Sequence, residues 1–70
     1  MQIHYDTRAD LLYLRLDERQ QPVVNRRVTD DVVLDVGEDD RIVGIEILGA
    51  SRHLDLASLL PVEYQVAPGR

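Results

Sequence analysis

The most apolar and most β-branched run of the chain covers residues 41–48. As a strand it has Val43, Ile45 and Ile47 on one fully apolar face, because successive side chains of a strand point to opposite sides. Its other face is mixed and carries Glu46 among aliphatic neighbours. We expect Glu46 to pair with an arginine of a neighbouring strand, since a carboxylate among apolar side chains needs a partner.

Four further runs of alternating apolar and polar residues predict strands at residues 2–5, 11–16, 23–28 and 32–36. Short polar turns join the first strand to the second and the fourth to the central one, so each of these pairs is expected to form a hairpin. The predicted fold is α+β and mainly β. It is an antiparallel β-meander of two hairpins plus a third strand, with one short C-terminal helix.

The C-terminal part of the chain combines a helical and an extended pattern. Asp55 is a candidate N-cap for a short helix that begins at Leu56, and Pro61 ends that helix. Ser51 is the alternative cap and would start the helix earlier. Residues 62–66 alternate again, which indicates a last strand that pairs either within the chain or with another subunit.

The length of 70 residues predicts one small β-rich domain over residues 1–66, with a frayed tail at residues 67–70. The chain contains neither Cys nor Trp nor Phe, so no disulfide and no Phe or Trp side chain can support its core. A chain of this size buries only ~60% of its unfolded surface. Marginal stability or self-association is therefore expected.

The net charge of −5, with arginine as the only basic residue besides histidine, disfavours nonspecific nucleic-acid binding. It fits an acidic partner of a basic protein better. No segment is long and apolar enough to suggest a leader or a membrane span, so we expect a cytoplasmic protein with no membrane partner.

An acidic metal site for hydrolysis is the main catalytic hypothesis, because such chemistry needs two or three carboxylates around one open coordination position. The candidate ligands are Asp6, Asp10, Asp35 and Glu46. Asp6 and Asp10 occur where a turn is predicted, and local hydrogen bonding explains them as well. His4 and His53 lack metal-ligand spacing and are interpreted as surface residues. We therefore expect no metal, no cofactor and no catalytic residue.

Apolar residues occur on both faces of the predicted sheet, more than one short helix can cover. A homodimer is therefore expected, unless residues 61–66 fold back over the exposed face. The interface candidates are Leu11, Tyr13, Ile42 and Leu48.

Three blocks of the sequence carry a family resemblance. They are Tyr5-Asp6 with residues 9–16, then residues 31–35, and most specifically residues 41–48 followed by Ala50-Ser51. Together they resemble a family of small bacterial proteins known as domain of unknown function 2283. Two positions differ from the family pattern: Asp40 stands where Gly is usual, and Gly49 where Asp or Asn is usual.

The resemblance implies a β-rich cytosolic bacterial protein with no established reaction or cofactor. It also implies an antitoxin-like role as the partner of a small basic toxin-like protein. Asp tolerates positive φ better than most residues, so the turn containing Asp40 should still form. The function we expect is that of a protein–protein interaction module, with a metal-dependent hydrolase as the alternative.

Overall fold

A computed structural model describes residues 1–68. The elements of the sheet are β1 (Gln2–Asp6), β2 (Leu11–Arg15), β3 (Val24–Arg27), β4 (Val32–Val36) and β5 (Ile42–Leu48). One short helix follows, α1 (Ala50–His53), and single 3₁₀ turns occur at Glu38–Asp40 and Leu56–Ser58. The prediction of a mainly β fold with a small helical part is confirmed. Of the predicted tail, Gly69 and Arg70 lie outside the described residues.

All five strands form one open antiparallel sheet in the order β1-β2-β5-β4-β3. The two predicted hairpins, β1–β2 and β4–β5, are both present. The strand order adds a pairing that the local pattern did not specify, because β5 lies beside β2 as well as β4. The strand with the strongest apolar pattern therefore occupies the centre of the sheet, where two neighbours satisfy its backbone.

Two turns depend on residues that tolerate a left-handed backbone. Asp39 and Asp40, between β4 and β5, have φ of 54° and 58°. The expectation that Asp40 replaces glycine without loss of the turn is confirmed. Gly49, which precedes α1, has φ of 62°. Glycine is favoured at this position because it adopts a left-handed backbone without a steric cost.

The predicted helix at residues 55–60 is wrong. The α-helix lies earlier and contains Ser51, while Leu54 is extended at φ −129° and ψ 147° and separates it from the later 3₁₀ turn. The Asp55 carboxylate accepts a hydrogen bond from the Ser58 hydroxyl group (2.6 Å) and caps no backbone amide.

Residues 62–66, predicted as a last strand, pair with no strand within residues 1–68 and are not packed, and their pairing with another subunit stays a prediction. Val62, Tyr64 and Val66 are 52%, 89% and 76% exposed. Segment 61–66 therefore does not fold back over the sheet within the chain. No helix of the described residues is long and apolar enough to cross a membrane.

Candidate functional site

The strand registers separate the strand residues into two chemically different faces. Leu12 pairs with Ile47, Leu14 with Ile45 and Leu34 with Ile45, so these side chains share one side of the sheet. We call this side the apolar face. Its strand residues are Ile3, Tyr5, Leu12, Leu14, Val24, Arg26, Val32, Leu34, Val36, Val43, Ile45 and Ile47.

The opposite side, which we call the carboxyl face, holds every acidic residue of the five strands. These residues are Asp6, Asp35 and Glu46. The sequence pattern had already indicated that one face of β5 is fully apolar and the other mixed. The register extends that difference to all five strands. The acidic strand residues therefore all lie on the carboxyl face.

Four residues from three strands form the centre of the carboxyl face. Tyr13 of β2 pairs with Glu46 of β5, and Asp35 of β4 pairs with Gly44 of β5. A Cβ atom at Gly44 would overlap the ring and hydroxyl group of Tyr13, so the tyrosine lies directly across β5. Because Gly44 has no side chain, the hydroxyl group of Tyr13 can extend across β5 on the carboxyl face, towards Asp35 on β4.

Glu46 and Asp35 form a pair of neighbouring carboxyl groups. Hydrogen bonding to Asp35, then burial and the negative charge of Asp35, raise the pKa of Glu46, against a smaller opposing effect of Arg27. Burial, followed by hydrogen bonding to Asp35, raises the pKa of the Tyr13 hydroxyl group. Two adjacent carboxylates repel each other, so the pair favours holding one proton between them.

One oxygen of this pair lacks a partner. Asp35 Oδ1 is buried and accepts no hydrogen bond from the described residues. The expected pairing of Glu46 with an arginine does not occur within residues 1–68, where no ion pair involves Glu46. Glu46, which has no ion-pair partner there, therefore retains the capacity to bind a cation from outside.

A groove of about 320 Å³ adjoins the pair. Its lining is aliphatic at Leu11, Val33 and Leu48, and polar at Asn25, Arg27 and Glu46. The Arg27 guanidinium group donates a hydrogen bond to the Asp30 carbonyl oxygen (2.6 Å), which holds it at the edge of the sheet. Aliphatic walls around a carboxylate suit a long side chain with a cationic end.

The four predicted acidic ligands do not come together. Asp6 closes the turn after β1, where its Oδ1 accepts hydrogen bonds from the amides of Arg8 (2.9 Å) and Ala9 (3.1 Å). Asp10 serves a junction with α1, and only Asp35 and Glu46 are neighbours. Among the described residues no group of three His, Cys, Asp or Glu side chains could hold a metal ion.

The Asp10 junction was not identified from the sequence. Asp10 Oδ1 accepts hydrogen bonds from the Tyr5 hydroxyl group (2.6 Å) and the Ser51 amide (3.0 Å), and Oδ2 accepts one from the Ser51 hydroxyl group (2.6 Å). The hydrogen bonds from Ser51 and Tyr5 lower the pKa of Asp10. These residues all lie in the blocks of the family resemblance, and that was the one signal that linked them.

The two histidines are separate. His53 is hydrogen-bonded to the Asp31 carboxylate (2.8 Å), whereas His4 lies on β1 near Gln2 (3.3 Å). Of the predicted interface residues, Leu11, Tyr13 and Leu48 lie on the carboxyl face. Ile42 begins β5 beside a β-bulge and is 46% exposed.

Comparison with known proteins gives one result. A family model described as "Protein of unknown function (DUF2283)" matches residues 2–51 of the 70-residue chain. This range contains the whole sheet, the carboxyl pair and the Asp10 junction. No curated protein and no solved structure matches the chain.

Proposed function

Since the chain belongs to the DUF2283 family, whose function is unknown, we propose a function from the chemistry of its own surface. We propose that the protein is an interaction module that binds a basic protein through the carboxyl face. A lysine or arginine of the partner enters the groove lined by Leu11 and Leu48 and pairs with Glu46. The observation that carries this proposal is that Glu46 lies in this groove beside aliphatic side chains and has no ion-pair partner within residues 1–68.

The energetics favour a cationic ligand over a neutral one. A guanidinium or ammonium group forms a stronger hydrogen bond with the Glu46 carboxylate than a neutral donor does. The net charge of −5 would also speed the approach of a basic partner. The aliphatic walls at Leu11 and Leu48 would cover the methylene groups of the entering side chain.

The resemblance narrows the partner to a small basic toxin-like protein, which this chain would neutralise in the bacterial cytoplasm. The alternative of a metal-dependent hydrolase has less support, because Asp6 and Asp10 are engaged in the turn and in the junction. Two carboxylates and a tyrosine remain, without a third acidic or histidine ligand in the described part of the chain.

Co-purification with the product of the adjacent gene tests the proposal, which requires that product to be a small basic protein. We expect the wild-type chain to retain that protein at low salt and to release it progressively as ionic strength rises. The double variant Asp35→Asn/Glu46→Gln should lose it. The control, Glu38→Gln/Asp39→Asn in the exposed β4–β5 turn, removes the same charge and should retain it. Equal binding by both variants, or none by the wild type, would refute the proposal.

A further inference from the structure

The centre of the apolar face has no layer above it. Leu14, Leu34 and Ile45 lie on three adjacent strands in the middle of the sheet, yet all three remain partly exposed. Their neighbours within the sheet already surround them, so only a covering layer could bury them further. The 3₁₀ turn at Leu56–Ser58 reaches only the end of the face near Leu12, where it borders an apolar groove.

The exposed area of the chain is large for its mass. The accessible surface is 5711 Å², whereas a folded monomer of 8.0 kDa is expected to expose about 4,450 Å². The uncovered sheet and the exposed segment 61–68 both contribute to this excess. A specific interface of ordinary size buries about 800 Å² per partner, so the excess is large enough for one.

The charges of the strand residues on the apolar face favour a second copy of this chain as the partner that covers it. Its strand positions carry no carboxylate, and Arg26 on the edge strand is its one charged residue. Two chains of net charge −5 could approach through this side without bringing acidic strand residues together. Approach through the carboxyl face would instead bring Asp35 and Glu46 of both chains into one interface, which is unfavourable.

We propose that a second copy of this chain covers the apolar face, so that two sheets pack face to face about a two-fold axis. Such an interface is self-complementary, because the same aliphatic patch supplies both sides. This inference goes beyond the proposed function, which uses the opposite face. The dimer leaves one carboxyl face outward on each protomer and therefore binds two partner molecules.

Sedimentation equilibrium at micromolar concentration tests the dimer with a pair of matched variants. We expect the wild type to have twice the 8.0 kDa mass of one chain. Leu14→Asp should raise the dissociation constant at least ~100-fold, because position 14 pairs with Ile3 and Ile45 and the new carboxylate is buried without a basic partner. Leu48→Asp, the same change on the carboxyl face, should leave the dimer intact. A monomeric wild type, or a dimer lost only in Leu48→Asp, would overturn the proposal.

A second measurement removes the dependence on a folded Leu14→Asp variant. In a mixture of isotope-labelled and unlabelled wild-type chains, we expect inter-chain nuclear Overhauser effects from the methyl groups of Leu14, Leu34 and Ile45. Inter-chain effects from Leu11 and Leu48 instead, or none at all, would contradict the proposed interface. Neither result depends on whether a basic partner exists, so the dimer and the proposed function can fail separately.

Discussion

At the centre of the carboxyl face, the position of the Tyr13 side chain depends on a glycine in the neighbouring strand. Gly44 leaves the space through which the Tyr13 ring crosses β5. The tyrosine in turn restricts access of water to the Asp35 side of the sheet, in keeping with the raised pKa that burial gives Tyr13 itself. A glycine in the middle of the central strand, which weakens the strand by itself, is thereby explained.

We predict that Gly44→Ala lowers the free energy of unfolding by about 1–3 kcal/mol, because the new methyl group overlaps Tyr13. The same substitution in a Tyr13→Ala background should cost much less, since the space is then free. Urea denaturation of the four proteins of this double-mutant cycle measures the coupling. Additive effects would show that the two residues do not contact each other.

The carboxyl pair gives stability a pH dependence of known direction. The raised pKa of Glu46 means that the folded chain keeps a proton that the unfolded chain has released. Its contribution to stability is complete below the ordinary glutamate value of 4.5 and is lost as pH rises through the higher folded value.

We therefore predict that Glu46→Gln becomes progressively more stable than the wild type as pH rises from 4.5 to 8. Glutamine keeps a hydrogen-bond donor beside Asp35 at every pH. Urea denaturation across this pH range measures the difference, with Glu63→Gln in the exposed C-terminal segment as the control. A difference that is constant with pH would show that the pair does not share a proton.

At the scale of elements, Asp10 attaches α1 to the sheet. It lies in the β1–β2 turn with φ of 50°, and its backbone carbonyl oxygen accepts a hydrogen bond from the Ala50 amide (2.9 Å). Its side chain holds Ser51 on one side and Tyr5 on the other. A helix of four residues has little stability of its own, so this attachment determines its position.

We predict that Asp10→Ala lowers the thermal unfolding midpoint, since it leaves the Tyr5 hydroxyl group and the Ser51 amide and hydroxyl groups without their acceptor. Asp10→Asn should cost less, because Asn tolerates the positive φ and retains one acceptor oxygen. Asp55→Ala is the control, as the Asp55 carboxylate bonds only to the nearby Ser58 hydroxyl group. Thermal unfolding that ranks Asp55→Ala as the most harmful of the three would refute this role of Asp10.

The sequence predicted elements whose causes are local and missed contacts between distant elements. Alternation located all five strands, and acidic turns located both hairpins. The pairing of β5 with β2, and hence the neighbourhood of Tyr13 and Glu46, depends on strand order, which local patterns do not contain. The alternation of residues 62–66 does not indicate where a partner strand lies, and none lies within residues 1–68.

For the whole molecule, one thin sheet has two uncovered faces of opposite character. The fully or nearly buried side chains are few, namely Leu12, Val33, Val36, Val43 and Ala50. A single chain thus has a small core, as the length alone suggests. Self-association through the apolar face would enlarge that core, while the carboxyl face would stay available to a partner.

Ile45→Ala tests the contribution of the apolar face to stability. We expect it to lower the free energy of unfolding by roughly 2–5 kcal/mol, the range for a buried isoleucine, because in the proposed dimer a second copy would complete the burial of Ile45. The wild-type denaturation midpoint should also rise with protein concentration. A loss under about 1 kcal/mol, with a midpoint independent of concentration, would mean that Ile45 stays exposed.

The most direct test of the carboxyl face is a titration of the isotope-labelled chain with a short arginine-rich peptide, followed by ¹H–¹⁵N correlation spectra. We predict that the largest chemical-shift changes occur at Tyr13, Asp35 and Glu46. These changes should increase with pH as the carboxyl pair loses its proton. A glutamate-rich peptide of equal length should cause none. Changes confined to the acidic turn at Glu38–Asp40, or no changes at all, would contradict a cation-binding site on this face.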